Sequence, residues 1–153
     1  MSEFNTEATP RPATHHDFAD NLAAYLHAQG VCADPLSNQQ EGELPAVFIG
    51  RFVDQPDRAI CIFNVTISNT WSDSNPTARF SVACRGGAED QLTPANDAGK
   101  VFTALHDRTH FELTAGHGVL VCERVINDPQ VPDSNTRWYS IDTYEAVLAI
   151  PSI

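Results

Sequence analysis

The sequence predicts an α+β fold: two layers, with two helices on one face of a mainly antiparallel sheet of about five strands, in the order α-β-β-β-α-β-β. Three observations predict it. Two segments carry apolar residues at helical spacing, and several short apolar or alternating runs are bounded by Gly, Pro, Asn and Asp. The strands come in runs and do not alternate one by one with helices. The 153 residues suit one domain. It is placed at 14–150, behind a flexible polar arm at 1–13 that contains Pro10 and Pro12.

In the first helix Phe18, Leu22, Tyr25 and Leu26 fall on one stripe. Thr14 is placed to cap its start, Asp17 and Asp20 suit the positive end of the dipole, and Gly30 suits the position just past its end. After a loop, Ala46-Val47-Phe48-Ile49 reads as a short strand bounded by Pro45 and Gly50. Turn residues at Asp54-Gln55-Pro56-Asp57 lead into Ala59 to Val65, apolar on both faces and read as a central strand. Beyond a polar loop between Ser68 and Thr77, the stretch Thr77 to Cys84 alternates, with Ala78, Phe80, Val82 and Cys84 on the inner face.

Arg85-Gly86-Gly87 is read as the break that ends this strand. Thr93-Pro94 is a cap-plus-proline signal for the second helix, whose inward stripe is Ala98, Val101, Phe102 and Leu105. Gly116 to Ile126 and Trp138 to Leu148 supply the last two strands, joined by a loop from Asn127 to Thr136.

Composition excludes several functions. Nine basic against twenty acidic side chains give a net charge of −11, the wrong sign for holding a phosphate backbone. No apolar run approaches the ~18–20 residues of a membrane helix, and the first residues lack the basic and apolar parts of a signal peptide. The four cysteines form no C-x-x-C pair, and Cys61, Cys84 and Cys122 sit in apolar runs as small hydrophobes, so neither a zinc ribbon nor a disulfide scaffold is expected.

Chemistry is equally sparse. His106 and His110 stand at i and i+4, which on a helix could grip zinc, but the general base of the usual motif is replaced by Asp107 and the helix is expected to end there. His15-His16 do not face one point, no G-x-S-x-G is present, and Cys84 points into the apolar face, where its pKa should rise. The glycine pairs lack a phosphate-loop frame. No catalytic residue, metal or cofactor is therefore assigned, and the chain is read as a non-enzyme. What stands out is arginine at strand ends and loops: Arg51, Arg58, Arg85 and Arg137. Arginine's planar fork suits carboxylates across interfaces, so these are the candidate contact residues.

One ordering of motifs is distinctive: L-x-x-x-G from Leu26 to Gly30, then P-A-V-F-I-G-R-F, P-D-R-A-I-C-I-F, F-S-V-A-C-R-G and A-x-K-V-F-T-A-L. It resembles the minor capsid or tail terminator family of long-tailed bacteriophages, over roughly Phe18 to Leu148. In that family a strand ending in R-G leads through a short loop to a helix ending near a Leu, as Arg85-Gly86 leads to Leu105. A later loop with acidic residues and an Arg precedes the last strand, as Asp133 and Arg137 precede Trp138.

The resemblance implies a ring of copies, usually a hexamer, on the head-proximal end of a tail tube. The ring would end tube polymerisation and offer its other face to the head completion or connector protein. Genome DNA would pass through without specific binding, and no membrane is involved. With the arginine placement above, it makes Arg51, Arg58, Arg85, Asp133, Arg137 and Trp138 the expected subunit or tube contacts. It also implies residence in the virion tail or neck after assembly in the host cytoplasm. The alternative is a small intracellular binding or immunity-type domain without catalytic activity.

Overall fold

A computed structural model of the chain describes residues 15–36, 44–68, 75–114 and 117–149. Helix α1 (His15–Ala28) buries Phe18, Leu22, Tyr25 and Leu26, as their spacing requires. It ends at Gly30, whose φ of +78° lets the N–H groups of Gly30 and Val31 fold back onto the carbonyls of His27 and Leu26. The expected Thr14 cap and the 1–13 arm lie outside the described residues, as does most of the loop between Ser68 and Thr77.

Strands β1 (Ala46–Ile49), β2 (Ala59–Ser68) and β3 (Thr77–Ala88) follow, then α2 (Leu92–Leu105) and strands β4 (Arg108–Thr114), β5 (His117–Asn127), β6 (Val131–Pro132) and β7 (Arg137–Leu148). The sheet is seven-stranded and runs β1-β2-β3-β7-β5-β4, with β6 paired to β7. All pairings are antiparallel except β1 with β2. The fold is α+β, but the sheet is mixed and larger than the five strands expected.

The two extra strands have identifiable causes. β6 is only a two-residue rung on β7, too short to leave a pattern. β4 has no strand of its own in the expected order, because His106 and His110 keep helical spacing and the second helix is expected to end there. The helix stops at Leu105 instead: His106 turns to extended backbone and Asp107 takes φ +60°. His110 lies on an exposed edge strand at φ +53°, skipped by the β4–β5 pairing, so the two imidazoles share no helix face.

Two further readings are corrected at β3. Arg85-Gly86-Gly87 does not end the strand, which continues to Ala88 through a bulge where Arg85 pairs Tyr139 and Ala88 pairs Arg137. Gly86 serves close approach: a Cβ there would stand 2.7 Å from the Pro94 ring and 3.3 Å from the Asp90 carbonyl oxygen. Nor does Thr93 cap α2. The Asp90 carboxylate accepts the N–H groups of Leu92 and Thr93, one turn earlier than Thr93-Pro94 suggested.

The core lies between the helices and one side of the sheet. Ile60 and Ile62, then Ala78, Phe80, Val82 and Cys84, then Tyr144, Ala146 and Leu148 meet Phe18, Leu22, Leu26, Val101 and Leu105 in one cluster. The two layers are not flat. α1 touches β1 and β2 at one end of the sheet order and β4 at the other, so the sheet curls around it. Phe102 departs from its expected inward place. It is half-buried, stacked on His106 with 4.4 Å between ring centroids, and the Arg124 guanidinium lies 4.3 Å from its ring centroid. The fourth inward position is taken by Ala104, whose carbonyl accepts the Tyr25 hydroxyl.

All four cysteines are free and buried. Burial pushes the Cys61 thiol up to about 11, Cys32 and Cys122 to about 12, and Cys84 well above its ordinary value. None carries the thiolate that nucleophilic chemistry needs.

One buried polar atom in this core yields a prediction. Tyr144 is fully buried and stacked on Phe80, and its hydroxyl has no hydrogen-bond partner among the described residues. An orphaned hydroxyl costs ~1–3 kcal/mol, so Tyr144→Phe should leave stability unchanged or raise it by about 1 kcal/mol. Urea unfolding checks this, and a loss above ~1 kcal/mol would show that a bound water satisfies the hydroxyl.

Candidate functional site

Parallel neighbours such as β1 and β2 are ordinarily joined by a crossover of about a dozen residues or more, most often a helix. Here the short segment 50–58 does it. The Gly50 N–H bonds the Ile62 carbonyl, and the chain then returns to Ala59 across the sheet face that the helices leave uncovered. We call this segment the strap. Its path offers no ladder for its own carbonyls, so side chains must satisfy them.

Arg85 does most of this. In the alternation of β3 it points away from the helices, yet it is only 1% exposed. Its Nε donates to the Asp57 carbonyl at 2.8 Å. Its Nη2 donates to the carbonyls of Val53 and Pro56 at 2.8 Å and Asp54 at 3.4 Å. The Phe52 ring closes over the guanidinium, 4.5 Å from Cζ to its centroid. A rigid planar fork suits several carbonyls around one bend, which a lysine ammonium would not match.

Arg137, at the start of β7, holds the same strap from beside it. Its Nη1 donates to the Asp54 carbonyl at 2.9 Å and meets the Asp57 carboxylate at 3.3 Å, while Nε reaches Asp133 at 3.0 Å. Asp133 also accepts the N–H groups of Arg137 and Asn135, and the Tyr139 hydroxyl at 3.3 Å. Tyr139 completes the cluster with its ring edge-on to Phe52, 5.3 Å between centroids.

Partial desolvation pushes the Asp133 carboxyl up, but these N–H donors and the guanidinium outweigh it and hold the pKa below the ordinary value. A lowered folded-state pKa stabilises the fold above the unfolded value and loses that contribution as pH falls through the folded one. The clamp is therefore intact at neutral pH. An NMR titration of Asp133 should show a midpoint below the usual carboxylate range, and a midpoint at or above it would contradict the clamp.

The structure thus brings Arg85, Asp133 and Arg137 together on the strap. It places Arg51, exposed, at the strap's beginning. Arg58 stands at its end but turns to the helix side. There Nε and Nη2 grip the fully buried Asp97 of α2 in a bidentate pair at 2.9 and 2.8 Å. Trp138 is half-buried and alternates to the helix side of β7, away from the strap. Sequence reasoning missed Phe52, Tyr139 and the strap carbonyls. The Asp54–Asp57 turn beside Arg58 was the available signal, but nothing in it says which strand's arginine receives the turn.

Among the described residues no group of His, Cys, Asp and Glu is placed to hold a metal. The cluster offers neither an activated nucleophile nor a paired acid and base. What it offers is a fixed surface segment that leaves Val53 47% exposed and the Asp54 side chain 80% exposed.

No curated protein sequence matches the chain. A solved structure with the same fold comes from the "Virion of native gene transfer agent (GTA) particle". Its TM-score is 0.52 at 11% identity, over 66% of this chain and 77% of that one. A family model described as "Bacteriophage tail terminator protein" matches residues 25–148. With the end of α1, all of α2 and every strand inside that span, the chain belongs to the bacteriophage tail terminator family, a family of structural phage tail proteins.

Proposed function

We propose that the chain ends tail-tube growth. Copies form a ring, of six as the family resemblance implies, on the head-proximal end of the tube, and present the opposite face to the head completion or connector protein. The family match over 25–148 carries this reading. The strap supports it, because a contact surface must be held in one shape before its partner arrives to keep the entropy cost of binding low. In this reading Arg51 touches the partner directly. Arg58, Arg85, Asp133 and Arg137 shape the surface, and Trp138 flanks it at the other face of β7.

The unit that assembles is the domain at 14–150, with 1–13 as its arm. Assembly takes place in the host cytoplasm, and the protein ends in the tail or neck of the virion. The net charge of −11 suits a passage through which DNA slides without sticking.

The test is direct. Purified protein mixed with growing tail tubes should cap them at one end as rings visible by electron microscopy. The protein alone should not shift duplex DNA in a gel at low salt, where a basic surface would bind most tightly. Tubes that keep growing past the protein, or salt-sensitive DNA binding, would overturn the reading.

A further inference from the structure

On the helix side of the sheet, opposite the strap, a groove of about 770 Å3 runs along α2 beside the end of α1. Val31 and Ala104 give it apolar wall, and Arg58, Lys100 and Arg108 give it charge. Its one carboxylate, Asp97, is buried and already gripped by Arg58. Among the described residues Lys100 meets no carboxylate. Arg108 lies over the rings of Phe111 and Tyr25, at 5.3 and 6.0 Å, and among the described residues it meets no carboxylate either. On a chain of net charge −11 this is a place where cations stand uncompensated.

The strap face has the complementary character. Three carboxylates, Asp54, Asp57 and Asp133, meet the single guanidinium of Arg137, and Asp54 is held only loosely, 3.7 Å from it. Exposed apolar side chains share this face: Val53 at 47% on the strap, and Ile126 at 40% and Val131 at 48% opposite Thr143 and Tyr139 of β7. Buried Arg85 fixes the strap backbone, so its carboxylates project from a rigid edge.

We propose that the groove of one copy receives the strap of the next, with a strap carboxylate, Asp54 or Asp57, meeting Lys100 and Arg108 and Val53 against Val31 and Ala104. The two patches differ and lie on opposite sides of one sheet, so the contact is head-to-tail. Such a contact closes into a ring when its rotation divides the circle. The inference rests on the ring reading above and adds which surfaces meet.

Lys100 is the only lysine of the chain, which makes the test specific. A zero-length carbodiimide joins an amine to a carboxylate only in contact, so every lysine-derived crosslink reports the groove. Rings assembled from mixed nitrogen-15-labelled and unlabelled chains, crosslinked, digested and weighed, should give Lys100 joined to Asp54 or Asp57 in peptides of mixed label. A ring in which Lys100 links within its own chain, to another carboxylate, or to nothing overturns the proposal while leaving the ring reading intact. If no ring forms, both fall. In parallel, Lys100→Glu and Asp54→Lys, both at exposed side chains, should each weaken association about tenfold or more, and the double exchange should recover most of it. Single variants that assemble as the wild type does would also overturn the proposal.

Discussion

Replacing Arg85 with methionine should cost about 3–5 kcal/mol in urea unfolding, although Arg85 contacts no core residue of the helices. The side chain is 1% exposed, and its guanidinium donates hydrogen bonds to the carbonyls of Val53, Asp54, Pro56 and Asp57. Methionine fills part of the volume but donates nothing, so those carbonyls must find water or remain unpaired at ~1–3 kcal/mol each. Phe52 loses its cation–π partner as well. Lysine at the same position should recover little, because one ammonium cannot match the planar fork. A loss below ~1 kcal/mol would show that the strap satisfies itself by another route. The consequence for function is separable: a variant kept folded at low temperature should still lose partner contacts, since the strap would no longer be held in one shape.

The helices and the longer strands were legible because their signals are local. Phe18, Leu22, Tyr25 and Leu26 can share a surface only on a helix, and Ala78 to Cys84 can alternate only on a strand. β4 was not legible because its local signals conflict. Helical histidine spacing runs across Asp107, a residue whose left-handed backbone ends the helix for tertiary reasons. Phe102 was misplaced because a lone aromatic on a helix stripe is ordinarily core. Here Arg124 from β5 and His106 give it a cover of their own. The candidate site was half legible. Arginines at strand ends could be singled out, but Arg85, Asp133 and Arg137 meet only because β3 and β7 are neighbours and the strap crosses their outer face. That is long-range information, and no spacing within one segment encodes it. No sequence signal marks Lys100, since its groove exists only once α1, α2 and β4 are packed together.

The Arg58–Asp97 pair should behave asymmetrically, and that asymmetry separates a fold role from a contact role. Asp97 is fully buried, whereas the Arg58 side chain is 22% exposed. Removing the cation alone, as in Arg58→Met, strands a carboxylate inside the protein and should cost about 3–5 kcal/mol. Removing the carboxylate alone, as in Asp97→Leu, leaves a guanidinium that can turn to water, so the loss should be about 1–2 kcal/mol. The double variant should fall within ~1 kcal/mol of the wild type, because a buried ion pair is often matched by apolar residues of similar size. A double variant as unstable as Arg58→Met alone would mean that the two side chains do not act as a pair. Since Arg58 also lines the groove, the stable double variant then asks a second question of the same residue. If strap and groove meet through Lys100 and Arg108, it should still assemble. If its rings dissociate while its fold holds, Arg58 itself is the cation that the strap requires.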